Sequence, residues 1–234
     1  MIDLAGRTAA VIGASGGVGE GISRALLAAG ATVVTVGRSA DRLRELAGRL
    51  DGGDRVKPLV VDLATQEPAD ISRQVTEQFG LLDLVVVSVG AAATGRPPAV
   101  LDITDQQFLE IVTGNELASL RALRAFVPVT APLGAVVGLV GLSGEVPFPQ
   151  NPLIGASNAG IRSLLLSLGA QLADRGPRIQ ALTIGVVRTR ARQAAGIDHQ
   201  DWLTGDEVGE RIIELYERAG SGTDRLLDPA SRGE

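Results

Sequence analysis

The sequence predicts a doubly wound α/β fold, a parallel sheet of about seven strands with helices on both faces. Three observations predict it. Short apolar runs rich in valine and isoleucine alternate with longer segments of helical period. The first of these runs opens directly onto a glycine cluster, Gly13 to Gly19, which a helix follows. The first strand, helix and second strand together take about 30 residues, the length of one β-α-β unit.

Taken in order, Arg7–Ile12 reads as a strand apolar enough to be buried on both faces. Gly13, Ser15, Gly16, Gly17, Val18 and Gly19 then form a turn in which missing side chains let the backbone approach a diphosphate, and the helix behind it presents free N–H groups. That helix runs over Gly19–Ala29, and Gly30 ends it. Ala31–Gly37 is the second strand, and a helix over Asp41–Leu50 is capped by Ser39 or Asp41. Lys57–Val61 is the third strand, ending at Asp62–Leu63, with a helix over Pro68–Phe79 after it. Leu82–Val89 is the fourth strand and stops at Gly90. Thr104–Gln107 has capping-box form and opens a long helix to about Val127. Ala135–Val140 is the fifth strand, and Pro152–Asp174 carries Ile154, Ile161, Leu164, Leu165, Leu168 and Leu172 at helical spacing. Ile179–Ile184, a Thr204-capped helix to about Ala219, and the strand Asp224–Leu227 complete the series. No linker interrupts it. Residues 1–228 are expected to form one domain, and 229–234 a flexible tail.

Composition excludes several classes of function. A chain of 234 residues is an ordinary size for one α/β domain, and 45% hydrophobic residues with 30 glycines suit a parallel sheet with tight connections. Cysteine is absent, so disulfides, a thiol nucleophile and a thiolate-bound metal are excluded, and no metal site is expected. A net charge of −5 argues against nucleic acid or an anionic membrane as partner. No uninterrupted apolar run reaches the roughly 18 residues of a membrane span, and no signal peptide is visible. A cytoplasmic protein is expected.

Over nearly its whole length the chain resembles the short-chain dehydrogenase/reductases, a family with a Rossmann-type nucleotide-binding fold. Gly13–Ala14–Ser15–Gly16–Gly17–Val18–Gly19 is similar to the family's glycine motif, with Ile12 where threonine is usual. Asp62–Leu63 resembles the pair that holds adenine, and Val87–Ser88–Val89–Gly90 stands where the family has Asn-Asn-Ala-Gly. Asn115 falls at the family's structural and catalytic asparagine; Ile184–Gly185 with Thr189 resembles the turn that embraces the nicotinamide end. The resemblance thus implies a nicotinamide dinucleotide as cofactor, and Gly90, Gly185 and Thr189 among its contacts.

The family's proton chemistry needs a tyrosine to exchange the hydroxyl proton, a lysine to lower its pKa and a serine to orient the carbonyl. By the resemblance those positions hold Ile154, Asn158 and Gly141, so only Asn115 keeps the family's residue. The chain's one tyrosine, Tyr216, and one lysine, Lys57, lie in other segments. Isoleucine transfers no proton, and an uncharged asparagine depresses no neighbouring pKa. The usual ketone–alcohol reaction is therefore expected to be largely disabled. Ser143 and His199 are the candidate substitutes. Ser143 is near the vacant serine position, and His199 falls in the family's lid segment, where a surface histidine is the simpler reading. Glu145 reads as a solvated loop carboxylate. Arg188, Arg190 and Arg192 alternate and could hold an anion or form a solvated face.

At the end of the second strand, Arg38 replaces the acid that would accept from both ribose hydroxyls of NAD. A forked cation there suits a 2′-phosphate, so NADP(H) is expected over NAD(H). Two classes of function remain open: an atypical enzyme acting on an unidentified small molecule, or a non-catalytic NADP(H)-binding subunit or sensor that pairs with an active relative. By the resemblance, the two long helices are expected to build a homodimer or homotetramer, or a hetero-oligomer with an active relative.

Overall fold

The computed structural model describes residues 2–90 and 98–229. Seven strands form one sheet: β1 (Thr8–Ile12), β2 (Thr32–Gly37), β3 (Val56–Val60), β4 (Leu82–Val87), β5 (Thr130–Gly141), β6 (Arg178–Ile184) and β7 (Gly222–Leu226). Their spatial order is β3-β2-β1-β4-β5-β6-β7, and every pairing is parallel. The chain winds outward from β1 to β3, then returns to lay β4 on the other side of β1. The crevice where the winding reverses lies at the carboxyl ends of β1 and β4.

The expected alternation is present because every central strand is buried on both faces. In β1, Ala9 and Val11 join one core, while Ala10 and Ile12 join the other. The first core is covered by α1 (Gly17–Ala28), α2 (Ala40–Arg49) and α8 (Gly205–Glu217), through Leu26, Leu43, Leu46 and Ile212. The second is covered by α3 (Pro68–Phe79), α5 (Ala118–Phe126) and α6 (Pro152–Leu172), through Ile71, Val75, Phe126 and Leu165. Ser39, not Asp41, caps α2 by accepting from the Arg42 N–H. Thr104 and Thr204 both form the capping boxes their sequences announce.

Several boundaries differ from expectation, and the larger differences have identifiable causes. The predicted continuous helix to Val127 is three pieces: α4 (Asp105–Ile111), a π-helical stretch over Val112–Leu117, and α5. A π turn adds one residue without disturbing composition, so a 3.6-residue reading passes over it. Strand β5 starts at Thr130 rather than Ala135, because Leu82 already pairs with Thr130 before a register shift brings Leu84 opposite Ala135. Strand β4 stops at Val87 and not Val89, and β7 covers Gly222–Leu226. A short helix, α7 (Arg190–Ala194), occupies the start of the expected lid segment.

Among the described residues, helix α6 comes nearest to the apolar run the sequence is expected to lack, although Asn158 and Arg162 interrupt it. Its 21 residues include a window of mean hydropathy 1.2, long and apolar enough to cross a membrane by length and composition. Its six leucines and two isoleucines produce that mean, and Arg162 is its one charged residue. In this fold α6 lies on the sheet, with Ile161 and Leu165 buried, and Gly138 of β5 lacks the side chain that would overlap Leu165. Of the expected tail, residues 230–234 lie outside the described residues.

Candidate functional site

A cavity of about 470 Å³ opens at the reversal point, lined by Gly13, Ser15, Gly16, Asp62, Leu63 and Gly90 among others. The glycine turn that floors it is dictated by close approach. Gly13 has φ 86, a left-handed conformation, and a Cβ there would overlap the Ser88 carbonyl. A Cβ at Gly19 would stand 2.5 Å from the Gly13 carbonyl oxygen and 2.8 Å from the Ala14 Cα. Helix α1 starts at Gly17, so the first-turn N–H groups, Val18 included, have no partners within the helix. Gly17 has a further reason to be glycine: its missing Cβ would lie 2.5 Å from the Thr189 Cβ. The loop after β6 thus rests directly on the glycine turn.

Cations gather at the other end of the cavity. Arg38, exposed at the end of β2, has no hydrogen bond or ion pair among the described residues. Arg42 and Arg121 line the same space. Arg42 donates to the Ser15 carbonyl at 3.4 Å, and Arg121 donates to the Gln66 carbonyl at 2.6 Å. Asp62 is the single acidic residue among the described residues lining the cavity. It is tied into its own turn: Oδ1 accepts from the Ala64 N–H at 3.0 Å, and its N–H donates to Gln66 Oε1 at 2.7 Å. Sequence reasoning found Arg38, Asp62 and Leu63 but missed the other two arginines. Arg42 could have been found, since it stands four positions after Arg38, in the first turn of α2. Arg121 arrives from α5, and no local signal announces it.

Asn115 lies in the π-helical stretch, 5% exposed, with Oδ1 3.6 Å from where a Cβ of Gly90 would be. Thr113 and Gly114 of the same stretch line the cavity. Gly185 faces the buried Asp228, whose Oδ2 accepts from the Val186 N–H at 3.0 Å and fills the space a side chain at 185 would need. Thr189 caps α7 by accepting from the Arg192 N–H at 3.3 Å.

Beyond β5 the structure brings Gly141, Ser143 and Asn158 together. Asn158 Oδ1 accepts from the Gly141 N–H at 3.1 Å, and Nδ2 donates to Ser143 Oγ at 3.0 Å. Ile154 lies one turn before Asn158 on α6, in the helix's first turn. Lys57 stands on the edge strand β3, and Tyr216 on α8, which covers the opposite face from α6.

Two expectations are corrected here. Glu145 is not solvated: its side chain is 7% exposed and accepts from Thr183 Oγ1 at 2.5 Å, Arg162 Nε at 3.2 Å and Arg225. Burial pushes its carboxyl up, but the Thr183 hydroxyl and the Arg225 and Arg162 guanidinium groups outweigh that and hold it below the usual range. A carboxylate so held is no proton donor at neutral pH. Nor do the alternating arginines share one face. Arg188 forks onto Asp198 at 3.1 and 2.6 Å, Arg190 reaches Glu20 at 2.6 Å, and Arg192 donates to the Val187 carbonyl beneath the Trp202 ring. His199 is 62% exposed, its Nδ1 accepts from the Asp201 N–H at 3.3 Å and lies 3.6 Å from Asp201 Oδ2, and it does not line the cavity.

The sequence matches the family described as short chain dehydrogenase over residues 7–200. An uncharacterised oxidoreductase of Staphylococcus epidermidis is 27% identical over 215 residues, covering 91% of this chain and 92% of that one. Among solved structures, ElxO with NADP bound superposes with a TM-score of 0.82 at 18% identity, over 95% of this chain and 96% of that one. A short-chain oxidoreductase of Pseudomonas aeruginosa, described as containing an atypical catalytic centre, gives 0.83 at 22% identity, over 98% and 99%.

Proposed function

The chain belongs to the short-chain dehydrogenase family, and from that premise we propose that it is an NADP(H)-binding oxidoreductase whose usual Ser-Tyr-Lys proton transfer is lost. The cavity carries this reading, because a glycine turn and a helix N-terminus face a cluster of arginines across one connected space. In it the diphosphate lies over Gly13 and Ser15 to Gly19, and adenine lies by Asp62 and Leu63. Arg38, unengaged among the described residues, takes the 2′-phosphate with Arg42 beside it. Gly90, Asn115, Gly185 and Thr189 surround the nicotinamide end. The bound cofactor supplies a hydride; what this chain contributes is position. Ile154 has no proton to give, and the Asn158 amide is spent on Gly141 and Ser143. Residues 1–228 act as one dinucleotide-binding unit in the cytoplasm. The bound ElxO structure adds support for NADP by analogy of fold.

Calorimetric titration tests the cofactor. NADPH is expected to bind more tightly than NADH by about 1–3 kcal/mol, roughly 5- to 150-fold, and Arg38→Ala to erase the difference. Equal affinities would sink the preference. Steady-state assay tests the chemistry. Without the proton donor, ketone reduction is expected to fall by about 10²–10⁴-fold from that contribution. Ordinary dehydrogenase turnover would show that another acid serves. A second reading, a non-catalytic subunit that pairs with an active relative, draws on the exposed Phe108, Leu117, Leu120 and Leu164 along adjacent helices. It is favoured if NADPH binds and no carbonyl turns over.

A further inference from the structure

Arg121 reaches the cavity from α5, where it lines the wall with Leu117 and Ala118. Its guanidinium is fixed in place. Nη2 donates to the Gln66 carbonyl at 2.6 Å, across 55 positions of chain, and Nε is shut away from solvent with no partner among the described residues. Leaving that N–H unpaired costs free energy, so the side chain is held against a penalty. The Nη1 edge has no partner among the described residues either. A guanidinium can only donate, so what this edge lacks is an acceptor.

The turn that Arg121 grips is the one that carries Asp62 and Leu63. The Gln66 N–H donates to the Asp62 carbonyl at 3.0 Å, and Gln66 Oε1 accepts from the Asp62 N–H at 2.7 Å. Arg121 is therefore tied to Asp62 through a single residue, yet Asp62 does not neutralise it. The two form no ion pair, and Asp62 Oδ1 is turned to its own Ala64 N–H. Arg42 stands on a helix that covers the first core, while Arg121 stands on one that covers the second. The two guanidinium groups thus enter the cavity from opposite faces of the sheet. A phosphate held by Arg38 and Arg42 is met from the first face, which leaves Arg121 to meet what lies along the Asp62–Gln66 turn.

We propose that Arg121 is a base-binding residue, whose Nη1 edge donates to a ring nitrogen of the cofactor's purine and takes no share in the 2′-phosphate. The inference rests on the reading of the cavity as an NADP(H) site with adenine by Asp62 and Leu63. A purine supplies the missing acceptor, since its ring nitrogens accept in the plane of the base. A charged donor makes that hydrogen bond stronger than a neutral one would.

Calorimetric titration of NADP⁺ and NAD⁺ into wild type, Arg121→Met and Arg38→Ala separates the two roles. Methionine keeps an apolar stem but has no donor. Arg121→Met is expected to weaken both cofactors by the same factor, about tenfold for one charge-assisted hydrogen bond, whereas Arg38→Ala weakens NADP⁺ alone. A loss confined to NADP⁺ makes Arg121 a phosphate residue and overturns the inference, as does no loss at all. A slackened turn would also weaken both cofactors, so a second measurement reads the contact on the unaltered chain. With isotope-labelled arginine and saturating NADP⁺, an NOE is expected between an adenine ring proton and the Arg121 guanidinium. Bound NADP⁺ without that NOE overturns the inference, whatever the affinities. If the wild type binds neither cofactor, the proposed function fails and the inference with it. If cofactor binds and the Arg121 readouts are missing, the inference alone fails.

Discussion

Glu145 shows how far one side chain's chemistry depends on residues that are remote in the chain. Its partners Arg162, Thr183 and Arg225 lie 17, 38 and 80 positions away, on α6, β6 and β7. The carboxylate therefore ties three elements to the end of β5. Replacement by glutamine leaves the shape but removes the charge. Glu145→Gln is expected to cost about 1–2 kcal/mol at neutral pH, toward the low end of charged hydrogen bonds because Arg225 is mostly exposed and screened. The native carboxyl is held below its ordinary value, so this contribution is complete above the unfolded value of about 4.3 and is lost as pH falls through the lower native one. Urea midpoints of wild type and variant should differ at pH 7 and converge in acid. A gap independent of pH would show that the charge plays no part.

Helix packing sets a different constraint where α1 crosses α8. Gly21 of α1 faces Gly205 of α8 so closely that a Cβ on either would enter the other's backbone, and Gly209 stands against Ala25 and Ile22. Gly48 in α2 has open space around its missing Cβ. Both are helical glycines, and alanine is intrinsically better in a helix by about 0.5–1 kcal/mol. At Gly21 the overlap outweighs this, since backbone cannot step aside as a flexible side chain can. Gly21→Ala should destabilise by about 1–3 kcal/mol net, and Gly48→Ala should stabilise by up to about 1 kcal/mol. Thermal or denaturant unfolding of the two variants gives opposite signs if the crossing is as described. The same contrast limits what pattern reading can find: both glycines look alike in sequence, and only their neighbours separate them.

At the scale of the whole molecule, the helices α4 to α6 leave an apolar surface uncovered. Phe108 is 47% exposed, Leu117 41%, and Leu120 and Leu164 37% each, on helices that touch one another. Leu117 also lines the cavity, which leaves Phe108, Leu120 and Leu164 as the large apolar side chains of these helices offered to a partner. Assembly through this surface, as a homodimer or homotetramer, should persist from low to high salt, because apolar contact is not screened as ion pairs are. Light scattering should report at least a dimer at both ionic strengths, and Leu120→Glu with Leu164→Glu should shift it to monomer. A monomeric wild type would place the patch against some other partner.

Strand and helix order, both capping boxes, the glycine turn and the Arg38 end of β2 are all legible locally. Each depends on residues within about one turn or one strand of one another, and hydrophobic period and cap chemistry act over that range. The π turn that carries Asn115 is not legible, because an extra residue in a helical turn leaves no trace in composition. Neither are the partners of Glu145, the arrival of Arg121 in the cavity, or the direction of the Asn158 amide. Those features are settled by which groups from distant segments meet when α5, α6, β6 and β7 close on the end of the sheet. A buried carboxylate takes whatever donors surround it, and an amide turns to suit the donor it faces. Residue identities alone name the players here; their roles follow from the packing of the folded chain.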